Sequence, residues 1–292
     1  MTDTARIGRA TVTRVVETRV EMRTSLFAAT PAEAWQNDAE LLDPMFWDRT
    51  TDQWKIAMQT WVVEVDGLTV VVDTGAGNDR DRPGMPPMHQ LNTGFLDAMH
   101  AAGFDPADVD VVVNTHLHVD HVGWNTQLVD GAWVPTFPNA RYLMPEPDYR
   151  FFGPDGKGAD EARRILFDDS IFPVEAQTKL WSDDFEISES LRLRPAPGHT
   201  PGSSVLWLEA GQSAVFVGDL THCPIQISRP QDKCAFDVDA EAAVVTRKRV
   251  FTEAARARAL VIPAHYPGHG GATIVARGDR FEVDGWLGIS EI

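Results

Sequence analysis

The sequence predicts a single layered α/β domain, residues 1–292, with sheets inside and helices outside. Three observations carry this. Strand-rich and helix-rich blocks occur twice, in the order β, α, β, α. No repeat of fixed period and no linker divides the 292 residues. The run Val109 to Thr115 is almost continuously apolar, as in a strand buried on both faces.

Ala10 to Met22 alternates, Val12, Arg14 and Val16 against Thr11, Thr13 and Val15, and its β-branched residues predict a strand. Residues 25–60 lack a clean period and hold Phe27, Trp35, Phe46, Trp47 and Trp54. That is long for a connection, and its aromatic density argues against disorder. It is expected as an insertion, serving as a pocket lid or as an arm in a homodimer. Two β-rich runs flank Asp66-Gly67, a strong hairpin signal. A helix is expected over Thr93 to Ala102, stopped by Gly103.

Pro, Gly and Asp punctuate residues 131–158, and Ala159 to Leu180 reads as a helix broken near Pro173. Trp133, Phe137, Tyr149, Phe151 and Phe152 mark 131–181 as a second apolar insertion. Strands return from Phe185 to Asp219, with turns at Pro197-Gly198 and Ala210-Gly211. Asp237 to Leu260 reads as one helix capped by Asp237 or Asp239, and Leu260 to Pro263 as a short strand.

Composition narrows the function. Hydrophobic residues make up 43% and charged residues 24%, enough to bury a core. A formal net charge of −17 disfavours nucleic acid, whose binders need clustered cations. No apolar run is long enough to span a membrane, and residues 1–20 lack the apolar region of a secretory signal. Cys223 and Cys234 are too few for a disulfide framework and are expected as reduced thiols in a cytoplasmic protein.

The informative stretch is Asn114-Thr115-His116-Leu117-His118-Val119-Asp120-His121. Three of the chain's nine histidines fall within six positions after an apolar strand. In an extended segment His116 and His118 point the same way. Imidazole and carboxylate together suit zinc and similar divalent metals.

These residues resemble the H-x-H-x-D-H motif of the metallo-β-lactamase superfamily. Gly198-His199-Thr200, Gly218-Asp219, His265 after Val261-Ile262-Pro263-Ala264, and Asp73-Thr74-Gly75 follow in the family's order, so the resemblance spans roughly residues 60–275. It implies a four-layer αββα sandwich with a dinuclear metal site. His116, His118 and His199 would hold one ion, and Asp120, His121 and His265 the second, with Asp219 bridging. His265 is preferred to His269 because it directly follows a strand, and Cys223 is not expected as a ligand. The ions would be divalent, zinc first, with manganese, cobalt and iron also suited.

The resemblance further implies a metal-dependent hydrolase that attacks a lactone or ester with a metal-bridging hydroxide, Asp120 and Asp219 taking part in catalysis. The intact Asp219 and the segments around it look like the lactonase and methyl-parathion-hydrolase-like branch, so an acyl-homoserine-lactone lactonase active in quorum quenching is favoured. Phosphotriester hydrolysis and iron-dependent redox chemistry are the alternatives. His222 stands where related lactonases commonly carry a tyrosine, and is expected to protonate the leaving group and contact substrate. Phe46, Trp47 and Trp54 are expected to form the apolar wall for a small, neutral, partly apolar substrate.

Overall fold

Alternation along the strands decides the layering. Val70 and Val72 of Leu68–Val72, and Val111 and Val113 of Val111–Val113, face an apolar cluster shared with Leu206, Leu208, Phe216 and Ile262. The intervening Val71 and Val112 face the opposite way, into a cluster that includes Phe95 and Met99 of helix Phe95–Ala101. On the other side Val205, Trp207, Val215, Val217 and Val261 share that cluster with Val250, Phe251 and Ala254 of helix Ala240–Ala257. Each strand buries both faces, so its sequence reads as a continuous apolar run. Each fully buried side chain of this kind contributes about 1.5–3 kcal/mol.

In the computed structural model, which describes residues 3–289, the first sheet runs Thr4–Ile7, Ala10–Arg23, Gln53–Val65, Leu68–Val72, Val111–Val113, Arg141–Pro145 and Thr178–Trp181. The short strand Trp47–Asp48 adds to Gln53–Val65. The second sheet runs Phe185–Glu186, Leu191–Pro195, Ser204–Glu209, Ser213–Gly218, Leu260–Pro263, Ala272–Arg277 and Arg280–Trp286. The predicted αββα layering is present. Residues 1–2 and 290–292 of the expected domain lie outside the described residues.

Several local expectations hold for physical reasons. Asp66 and Gly67 both take positive φ, 53° and 78°, and join Val65 directly to Leu68 in register. Asp239 caps Ala240–Ala257 by accepting from Ala242 N at 3.0 Å.

Others are corrected. Strand Gln53–Val65 begins inside the expected insertion, which shortens to about residues 24–52 and contains helices Ala32–Asn37 and Ala39–Leu42. The expected helix 159–180, broken near Pro173, is helical from Glu161 to Gln177. It comprises an α-helix Glu161–Leu166, a wider π turn Phe167–Ile171 and a tighter 3-10 stretch Phe172–Gln177 that begins beside Pro173. Its last residues instead form strand Thr178–Trp181, parallel to Arg141–Pro145. Residues 131–181 are therefore not one insertion, because they supply two sheet strands. Asp237 does not cap the long helix and is used elsewhere.

Candidate metal centre

The site collects at the carboxyl ends of parallel strands. Val111–Val113 runs into Asn114–His121, Ser213–Gly218 delivers Asp219, and Leu260–Pro263 delivers His265. Gly218 has φ +51°, and a Cβ there would stand 2.5 Å from Thr115 Oγ1, so only glycine lets the two loops meet.

Seven side chains converge in two groups: His116, His118, His199 with Asp219, and Asp120, His121 with His265. These are the groups expected from sequence. Asp219 Oδ2 lies 3.3 Å from His199 Nε2 and 3.8 Å from His116 Nε2. Its Oδ1 lies 3.1 Å from His265 Nε2 and 3.3 Å from His121 Nε2. Asp120 faces the second group, 3.4 Å from His265 Nε2. One carboxylate thus addresses one group with each oxygen.

The far side of each ring fixes which nitrogen faces inward. His121 Nδ1 bonds Asp73 Oδ2 at 2.9 Å, and His265 Nδ1 bonds Ala57 O at 3.1 Å. His199 Nδ1 bonds Asp237 Oδ1 at 3.1 Å, and His116 Nδ1 lies 3.1 Å from Thr115 Oγ1. Those four rings present Nε2. His118 presents Nδ1, which lies 2.9 Å from His199 Nε2 and 3.2 Å from His116 Nε2. Such outer hydrogen bonds fix tautomer and orientation in metal sites.

Electrostatics suits a cation. Burial holds His116, His118 and His199 below the usual imidazole range, in the neutral form that ligates. Burial also opposes charge on His121 and His265, but Asp219 and Asp120, with Asp73 at His121, outweigh it and raise both. Against its own burial, Asp219 is held well below the carboxylate range by His265, His121 and His222. Where three carboxylates favour positive charge, divalent ions supply it. Asp219 Oδ1 is buried and accepts no well-aligned hydrogen bond, which a metal would satisfy. The donor set, five imidazoles and two carboxylates, fits two borderline divalent ions.

A cavity of about 340 Å³ opens onto the centre, walled by Met22, Trp54, Ile56, Met85, Met88 and Phe236. Asp219, His222 and His265 reach it. Phe46 and Trp47 do not, against expectation. Phe46 packs between Tyr266 and Trp286, with ring centroids 5.6 and 5.4 Å away. Trp47 packs on Trp35 at 5.8 Å and donates to Asp52 at 3.2 Å. Only Trp47 adjoins the wall, as the strand partner of Trp54.

His222 is 2% exposed, with Nε2 3.3 Å from Asp219 Oδ2, and neither ring nitrogen makes a well-aligned hydrogen bond. Cys223 and Cys234 are free, buried thiols, and neither joins the two ligand groups.

Residues 59–252 match the metallo-beta-lactamase superfamily. The chain belongs to this superfamily. It is 31% identical to the N-acyl homoserine lactonase AttM of Rhizobium radiobacter over 123 residues, 41% of this chain and 43% of that protein. It is 27% identical to the N-acyl homoserine lactonase AiiA of Bacillus thuringiensis subsp. kurstaki, over 41% and 40% of the two chains. The matched part thus spans less than half of these curated relatives. Among solved structures, hydrolase AbOPH superposes with TM-score 0.79 at 24% identity, covering 99% of this chain and 97% of that one. The dizinc quorum-quenching lactonase AidC, in complex with a product, superposes with TM-score 0.78 at 20% identity, covering 97% and 96%.

Two residues of this superfamily member carry roles that its sequence does not reveal, the expectation for Asp237 being a helix cap. Asp237 orients His199. Asp148 accepts from Leu117 N at 3.0 Å, Thr200 Oγ1 at 2.8 Å and Gly202 N at 2.5 Å, tying the two ligand-bearing loops together. Burial pushes its carboxyl up to about 6, against those three donated bonds. Both lie far along the chain from the ligands they support, so no local spacing marks them.

Proposed function

We propose that this chain is a dinuclear-metal hydrolase that opens lactones or cleaves esters, with N-acyl homoserine lactones as its favoured substrates. The observation that carries this is Asp219, whose two oxygens face two separate ligand groups across a shared edge. His116, His118 and His199 would hold one ion, and Asp120, His121 and His265 the other, with Asp219 placed next to both groups. Zinc is the first expectation. Bound there, two divalent ions would supply an activated water near neutral pH and polarise the scissile carbonyl.

The chain's own residues do the rest. Asp219 keeps the two groups in one geometry. Trp54, Ile56, Met22 and Phe236 exclude water and receive the apolar part of the substrate. His222 lines the same cavity and donates a proton to the leaving alkoxide oxygen, a form of help that contributes about 10²–10⁴-fold. The lactonase names of AttM, AiiA and AidC support the substrate class.

The test is a hydrolysis panel on the metal-loaded protein, with acyl-homoserine lactones, simple γ-lactones, aryl esters and phosphotriesters. Highest kcat/KM on the lactones is expected. Preference for the phosphotriester by tenfold or more would move the reading to that class.

A further inference from the structure

Among the described residues, Arg163 is the one lysine or arginine in the wall of the reaction cavity, in the same lining as His118, Val119 and Asp120. It comes from helix Glu161–Leu166, capped by Asp160, whose side chain accepts from Arg163 N at 2.7 Å. Its Cζ lies 4.2 Å from the centroid of the Phe152 ring, and Phe152 in turn lies 5.6 Å from the His118 ring. The guanidinium thus lies over the ring face, a cation–π contact that leaves N–H groups free to bond elsewhere. One of them reaches Leu117 O at 3.4 Å, a long contact. Asp160, Asp148 and Asp120 favour its charge, yet among the described residues it makes no ion pair. A half-buried guanidinium at the edge of a reaction cavity, leaning on Phe152 and making one long hydrogen bond, has donors to offer an oxygen acceptor.

We propose that Arg163 is a substrate-binding residue that donates hydrogen bonds to a second carbonyl of the acyl substrate, separate from the carbonyl that reacts. The reacting carbonyl belongs at Asp219 and the ligand groups. Arg163 lines the cavity with His118 and Asp120, to one side of Asp219, and would meet an amide oxygen whose carbonyl carbon is three bonds from the ester carbonyl. It thereby selects substrates with an exocyclic amide over purely aliphatic lactones. This rests on the acyl-hydrolase reading above. The competing role is structural, in which Arg163 only covers Phe152 and Leu117 O.

The experiment compares kcat/KM on N-hexanoyl-L-homoserine lactone and on γ-decalactone, for wild type, Arg163→Met and Arg163→Lys. The ratio between the two substrates is the readout, because a folding defect lowers both alike. In Arg163→Met the ratio should fall about 10–100-fold, mainly through KM on the amide-bearing lactone, as expected for a lost charge-assisted hydrogen bond. Arg163→Lys should recover part of it. A ratio within twofold of wild type overturns the proposal. If wild type opens neither lactone, the lactone reading fails by itself. The same ratio is then read on 4-nitrophenyl esters of matched length, with and without an amide in the acyl chain, and decides Arg163 separately. Turnover of neither pair overturns both.

Discussion

Asp219 divides its oxygens between two histidine groups, so its loss should uncouple them and not merely weaken one. Asp219→Ala is expected to lower kcat by at least about 10³-fold while the folded protein persists, measured by kinetics and circular dichroism. Survival of activity within a few-fold would remove the bridging role. Asp73 acts at one remove, holding His121 Nδ1 and Thr115. Asp73→Asn should weaken binding at the His121 group about 10–100-fold, read as metal affinity by competition with a chelator. At His222, Ala substitution should slow an aliphatic lactone far more than a nitrophenyl ester, whose phenolate leaves unprotonated. Equal losses would make His222 a packing residue. The clustering of candidate ligands was legible because six positions of one loop carry four of the seven converging side chains. Phe46 and Trp47 were misplaced because aromatic density marks a wall without saying which layer of it touches the cavity.

Periodicity revealed the elements that cross the core. Strand Leu260–Pro263 and the hairpin at Asp66-Gly67 were both legible, since each combines an apolar run with a sharp stop. Thr178–Trp181 was not, because Lys179 and the preceding helical turns mask a short edge strand that only its parallel partner Arg141–Pro145 stabilises. Asp148 joins elements that the sequence leaves unrelated: the loop at Leu117 and the turn at Thr200 to Gly202. Asp148→Ala strips three donors of their acceptor, at about 1–3 kcal/mol each. A drop of several kcal/mol in unfolding free energy is expected from urea titration. A change below about 1 kcal/mol would show that the loops hold without it.

For the whole molecule, the layering was legible because strands buried on both faces require a cover on each side. What composition could not show is that a chain of net charge −17 concentrates carboxylates and imidazoles at one buried centre. Among the described residues no helix is long and apolar enough to cross a membrane. Ions bound only by the folded chain would stabilise it by mass action, so chelation should lower the unfolding midpoint and zinc should restore it. The most direct test of the account is a zinc titration of metal-depleted protein, followed by elemental analysis and lactone hydrolysis on the same samples. Activity is expected to rise to a plateau at two equivalents per chain. Full activity in the metal-depleted protein, or a plateau at one equivalent, would contradict the dinuclear reading.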